Sequence, residues 1–316
     1  MEKSNKLMDI LNIDPKKEVE RIENFITNEV KRLGKEGVVI GLSGGLDSSV
    51  CAFLSKNSLG KKRILALILP ERDSELKNIE DARMIAKKIA LPTKEIDLTP
   101  FLEEIGVYKL FSQRISQNRE FVEKLIKKLE KIFNQPSLFA FGFPIFFGQE
   151  KSLKNILSRK IFLSYAKKIA ALATAKTRLR MLFLYYFAAF KNYLVLGTTD
   201  KSEWSIGFYE GDAISHLQPL KHLFKTQIRK LATYLSLPKQ IIEKSSSGDL
   251  FARGIPNELL IGLSYEILDS ILAGLEQGYS LKEIENLTGA NQKQIQAISR
   301  LVKIDKIRKS LPLSLI

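Results

Sequence analysis

The segment SGGLDSS, residues 43–49, packs small and hydrogen-bonding residues directly behind the β-branched run VVI. Gly44 and Gly45 permit backbone angles that other residues avoid, and neither carries a Cβ that would hold a ligand away. Main-chain N–H groups can therefore converge on an anion. A helix starting here adds its own unpaired N–H groups and the positive end of its dipole. Ser43, Ser48 and Ser49 can donate hydroxyl hydrogen bonds to the same guest. The expected guest is a phosphate or pyrophosphate. Asp47 would repel that anion directly, so its expected task is to hold Mg2+ against the phosphate oxygens. A plain helix-capping turn accounts for two glycines alone, but not for the complete string. No Gly-Lys-Ser/Thr follows, so the loop is not of the P-loop NTPase kind.

Such a loop needs a buried strand to deliver it and a helix to receive it. EGVVIGLS reads as the strand and DSSVCAFLSKNSL as the helix. RILALILP is a second strand, IEDARMIAKKIAL a second helix and TKEIDLT a third strand. LATAKTRLRMLFLYYFAAF is helical, and YLVLGTTD is a fourth strand ending in a polar turn. Strand–helix alternation of this kind predicts a doubly wound, Rossmann-like parallel sheet with right-handed crossovers. Both polar turns should then meet at the carboxyl edge of the sheet, where such folds bind ligands. Ahead of the first strand, Val19, Ile22, Phe25, Ile26, Val30 and Leu33 form one helical stripe.

Two stretches stand apart from the alternation. Residues 106–172 read as a helical insertion, with a basic amphipathic helix at EFVEKLIKKLEKIF and an aromatic stretch at QPSLFAFGFPIFFGQ. A packed structural element, a lid, a dimerisation surface or a membrane-surface element would each suit it. Residues 264–316 read as a helical C-terminal extension, within which SLKEIENLTGANQKQIQAISRLV pairs two helical patterns around a Thr-Gly turn. That is helix-turn-helix-like, but such pairs are common packing units.

The 316 residues are read as one domain, 1–316, large enough to bury a substantial core. No apolar run approaches the roughly 18 residues of a membrane span, the N-terminus has no apolar signal core, and a cytoplasmic location is expected. The single cysteine excludes an intrachain disulfide and a cysteine-based zinc site. Cys51 falls on the buried face of its helix, and His222 reads as an exposed loop residue. The net charge of +15 points to an anionic partner, and residues 107–175 alone hold thirteen Lys or Arg against four Asp or Glu.

The pyrophosphate loop resembles that of the ATP pyrophosphatase superfamily. The order of later motifs resembles that of the ammonia-dependent NAD+ synthetases. It runs through LILPERDSELKNIEDARMIAKKIAL, KTRLRM, LVLGTTDKSEWSIGF, QPLKHLFKTQIRKLATYL, IIEKSSSGDL, IGLSYEILDSIL and IDKIRKSLP. The resemblance implies an AMP-forming amide ligase. The carboxylate of deamido-NAD+ attacks the α-phosphate of ATP, pyrophosphate leaves, and ammonia displaces AMP from the acyl-adenylate. It also implies roles for residues: Ser43, Gly44, Gly45, Asp47, Ser48 and Ser49 for ATP, joined by Arg178, Thr198, Lys225 and Ser247; Asp47 and Glu203 for Mg2+; Asp47, Lys225 and Asp212 for catalysis. A homodimer using free ammonia, or ammonia from a separate donor, is the family's pattern.

The acceptor half departs from that pattern. The family's F-T-K-Y-G-D-G-x-x-D is represented by GFYEGDAISHLQPL, two residues shorter and without the lysine. Asp212 matches the first aspartate, His216 falls at the second, and PNELLIGLSYE keeps only Glu258 of the usual acids. Asp212, His216 and Asp249 are the expected acceptor-binding residues, and a different carboxylate is the alternative. An adenylating tRNA-modifying ATPase would suit the basic charge but lacks the thiol pair of sulfur transfer. A degenerate nucleotide-binding regulator conflicts with the retention of Asp47, Glu203 and Lys225. Nucleic acid is accordingly not an expected partner.

Overall fold

The computed structural model describes residues 7, 9–133, 137, 139, 156–209 and 215–309. Helix α1 (Pro15–Arg32) begins where Asp14 accepts hydrogen bonds from the N–H groups of Lys16 and Lys17 and Pro15 presets the first turn. Its buried stripe is Val19, Ile22, Ile26 and Val30. Phe25 and Leu33, expected on the same stripe, lie at its exposed margins. There follow β1 (Gly37–Gly41), α2 (Leu46–Leu59), β2 (Ile64–Ile68), α3 (Leu76–Lys88) and β3 (Thr93–Glu95). The next elements are α4 (Thr99–Glu104), α5 (Gln113–Ser116), α6 (Arg119–Phe133), α7 (Ile156–Lys191) and β4 (Tyr193–Leu196). The remaining elements among the described residues are helices: α8 (Lys201–Ile206), α9 (Lys225–Tyr234), α10 (Lys239–Ile242), α11 (Asn257–Ile261), α12 (Tyr265–Glu276), α13 (Leu281–Thr288) and α14 (Gln292–Lys309).

The four strands form one parallel sheet in the order β3-β2-β1-β4. The chain steps outward from β1 to β2 to β3, then returns to the opposite side of β1 with β4. That reversal opens a crevice at the carboxyl ends of β1 and β4. The register pairs Ile40 with Leu196, so both strands end at one level and their turns emerge side by side. β1 and β2 are buried along nearly their whole length, as a sheet covered on both faces requires. β3 is the exposed edge.

One apolar cluster unites α1, α2, α3 and α9 with one face of the sheet. A second packs the other face against α7, with Leu172, Leu184 and Ala188 meeting Val39, Leu67 and Val195. A third belongs to the C-terminal helices, where Ile284, Ile295, Ile298, Leu301 and Ile304 are buried against α12. The helix-turn-helix-like tail therefore uses its apolar residues to pack on its neighbours, around Gly289 in the left-handed turn after α13. The expected boundary at residue 172 falls inside α7, which runs unbroken through it. No helix among the described residues is long and apolar enough to cross a membrane.

Candidate active site

The β1–α2 turn is held open by its own hydroxyls. Ser43 Oγ and Ser48 Oγ share a hydrogen bond of 3.0 Å, and the Gly45 N–H reaches Ser43 Oγ at 3.3 Å. Gly44 has φ +73°, and a Cβ there would sit 2.1 Å from the carbonyl oxygen of Asn78. Only glycine fits that conformation and that approach. Gly45 caps α2 without a side-chain bond, so the first N–H groups of the helix receive no cap from it. Ser43 is exposed and Gly45 half-buried, which leaves the turn open to a ligand. Ser49 differs from its expected role: it is fully buried, and its hydroxyl donates to Gly45 O at 2.7 Å, bracing the turn from beneath.

The second turn, after β4, carries Thr198 and leads into α8. Asp200 caps that helix, accepting from the Glu203 N–H at 2.7 Å. This places Asp200 and Glu203 on the side facing Asp47, and one oxygen from each of the three carboxylates lies within 4.8 Å of the others. Lys225 enters from the first turn of α9, fully buried, with its N–H donated to Ser202 Oγ at 2.9 Å. Its Nζ lies 2.7 Å from Asp47, 2.5 Å from Asp200 and 3.2 Å from Glu203. Burial opposes the charge on Lys225, but Asp200, Asp47 and Glu203 outweigh it and hold its pKa well above the ordinary value. Burial, followed by the neighbouring Asp200 charge, raises Glu203 to about 8. Burial likewise raises Asp200.

Three carboxylates around one ammonium leave negative charge uncompensated in a buried place. Asp47 Oδ1 is also buried and without a hydrogen-bond partner among the described residues. Such an all-oxygen, charge-deficient set fits a hard divalent cation.

Asp47, Glu203 and Lys225, three of the expected residues, are thus brought into contact. Asp200 was not anticipated as their companion; its signal was an aspartate three residues before Glu203 at a strand end, which reads equally as a helix cap. Tyr265 and Asn257 were also missed. The Tyr265 hydroxyl and the Asn257 amide each reach Glu203 Oε1 at 3.4 Å. Lys244, the cation of the IIEKSSSGDL motif, donates to Gly44 O at 3.1 Å and to Asp81 at 2.7 Å, tying that segment to the phosphate loop. Ser247 stands close by: a Cβ on Gly254 would meet its hydroxyl at 2.9 Å and the Asn78 amide at 3.8 Å. Arg178 is half-buried on α7.

The acceptor residues fare differently. Asp212 lies outside the described residues. His216 is not in the cluster: its Nδ1 accepts the Val195 N–H at 2.8 Å and its ring meets Tyr185 edge-on. Burial, then the charge of Lys35, holds its pKa below the ordinary value, so the ring stays a neutral acceptor. Asp249 accepts the Glu75 N–H at 3.0 Å and so caps the start of α3. Both are engaged in holding the backbone. Cys51 is core, as expected, its thiol directed at Gly197 O and its pKa raised by burial. His222 pairs with Glu18 at 2.5 Å.

A parallel sheet with an anion-accepting turn and a carboxylate–lysine cluster at its switch point defines a nucleotide-binding α/β protein suited to phosphate chemistry. The family model described as NAD synthase matches residues 18–130 and 151–312, passing over 131–150. The chain belongs to the NAD synthase family, whose members are carbon–nitrogen ligases. It is 37% identical to the NH(3)-dependent NAD(+) synthetase of Coprothermobacter proteolyticus, covering 87% of this chain and 90% of that protein. It is 31% identical to the protein of the same name from Thermotoga maritima, covering 93% and 98%. In fold it is similar to an NMN synthetase from Francisella tularensis, with TM-score 0.68, 22% identity and coverage of 96% and 99%. It is also similar to an NH3-dependent NAD synthetase from Campylobacter jejuni, with TM-score 0.63, 24% identity and coverage of 96% and 100%.

Proposed function

We propose that this chain is an ammonia-dependent, AMP-forming ligase that adenylates the nicotinate carboxylate of deamido-NAD+ and converts it to the amide. The observation that carries this reading is the meeting of Asp47, Asp200, Glu203 and Lys225 beside the Ser43–Ser48 turn. The turn's N–H groups and the Ser43 and Ser48 hydroxyls receive the β- and γ-phosphates of ATP. Lys225 is positioned to neutralise the charge that develops as pyrophosphate departs. Asp47 and Glu203, with Asp200, would hold Mg2+, which when bound supplies charge neutralisation to the phosphate oxygens. Lys244 and Ser247 steady the far side of the turn. Rate acceleration then comes mainly from alignment and fixed charge.

The family relationship and the relatives' names support deamido-NAD+ as acceptor, and Asp212 is the residue assigned by motif position to the amination chemistry. A homodimer is supported by an exposed stripe on α7: Leu182, Tyr186 and Phe190 recur every fourth residue and are 63%, 59% and 77% exposed. The test is AMP release from ATP with deamido-NAD+ and ammonia, compared with nicotinate mononucleotide. AMP and amide formed in equal amounts are expected, with deamido-NAD+ preferred. ATP cleaved only to ADP would refute the ligase.

A further inference from the structure

A solvent-open recess of about 500 Å3 is lined by Gln113, Arg114, Gln117, Asn118, Arg119 and Arg253. It joins α5 and the start of α6 to the loop that precedes α11. No residue assigned above to ATP, metal or acceptor lines it. Three arginines line it, Arg114 and Arg119 from one stretch of chain and Arg253 from another. Arg119 is paired with Glu123 at 2.7 Å. Arg114 and Arg253 have no ion-pair partner among the described residues. The recess therefore holds more positive charge than its one bound carboxylate offsets.

Its walls are fixed from behind. The Gln117 amide donates to Arg72 O at 3.3 Å and reaches Asp73 at 3.5 Å. Asp73 and Glu71 pair with the fully buried Lys176, which also donates to Leu250 O at 2.9 Å. Leu250 belongs to the loop that presents Arg253. That loop is held in an unusual shape, with Asp249, Ala252 and Arg253 at φ 47°, 49° and 54°. Consecutive left-handed residues without glycine persist only where the surroundings enforce them, and they gather at ligand sites.

A guanidinium offers two parallel N–H groups that match phosphate oxygens, and carboxamides add neutral donors. We propose that this recess is a second anion site, binding a phosphate-bearing small molecule apart from the triphosphate cradle at Ser43–Ser48. It is independent of which carboxylate the ligase activates.

Titration calorimetry with inorganic pyrophosphate tests this, using the full chain already saturated with Mg2+ and α,β-methylene-ATP so that the first cradle is filled. One further pyrophosphate is expected to bind. Arg114→Ala and Arg253→Ala should each weaken it at least tenfold, Arg119→Ala should weaken it less, and Glu123→Gln should tighten it, with affinity for the ATP analogue unchanged. Displacement of pyrophosphate by deamido-NAD+ would identify the acceptor's own phosphates as the natural occupant, and its persistence would identify a separate phosphate metabolite. No binding to the saturated protein, or binding indifferent to both Arg114→Ala and Arg253→Ala, overturns the proposal.

Discussion

Lys225 is the pivot of the candidate site at residue scale, because its ammonium is fully buried and within 3.2 Å of three carboxylates. Lys225→Met removes the cation and leaves the acids facing one another. Breaking a buried pair in this way costs about 3–5 kcal/mol. Thermal melts should show that loss, with Mg2+ restoring part of it, while AMP formation falls by at least about a thousandfold, roughly 4 kcal/mol of barrier. Gly44→Ala should also fail, since its Cβ would lie 2.1 Å from Asn78 O at a φ of +73°. A loss of at least about 2 kcal/mol is expected from this clash and strain, together with loss of ATP binding, read by calorimetry. The Ser43–Ser48 turn was legible in the sequence because its glycines and hydroxyls are contiguous and act through the backbone. Asp200 and Tyr265 were not, because their roles depend on which side of a helix faces Glu203, and that is decided by tertiary packing.

At the scale of elements, α8, α9 and α12 are locked together by Asp269, which accepts from Ser202 Oγ at 2.5 Å and from the Thr226 N–H at 2.9 Å. Burial raises Asp269 from an ordinary 3.8 to about 6. An acid whose folded pKa is raised binds its proton more tightly in the folded chain. The associated stability is therefore present below pH 4 and lost as pH rises through 6, by about 3 kcal/mol for a shift of this size. Urea titrations across pH 4 to 7 should show this slope, and Asp269→Asn should flatten it. Strands and their polar turns were readable from β-branched runs with abrupt endings. The continuity of α7 through residue 172 was not, since its hydrophobicity does not segregate to one face over 36 residues. The backbone contacts of His216 and Asp249 were not legible for a related reason: motif position says nothing of whether a side chain also holds β4 or the start of α3.

For the whole molecule, the exposed Leu182, Tyr186 and Phe190 on α7 set the expectation of self-association. Leu182→Glu with Tyr186→Glu should shift the mass by light scattering from dimer to monomer, with the circular dichroism spectrum unchanged. A wild-type monomer at micromolar concentration would remove that expectation. The sheet order β3-β2-β1-β4 carries a further consequence. Asp47 and Lys225 touch although 178 positions separate them, and β4 is the last strand to be synthesised among the described residues. A nascent chain emerging from the ribosome holds the glycine turn long before it holds the lysine that completes the cage. Nucleotide capture should thus begin abruptly once synthesis passes α9, making ATP affinity a late checkpoint on folding.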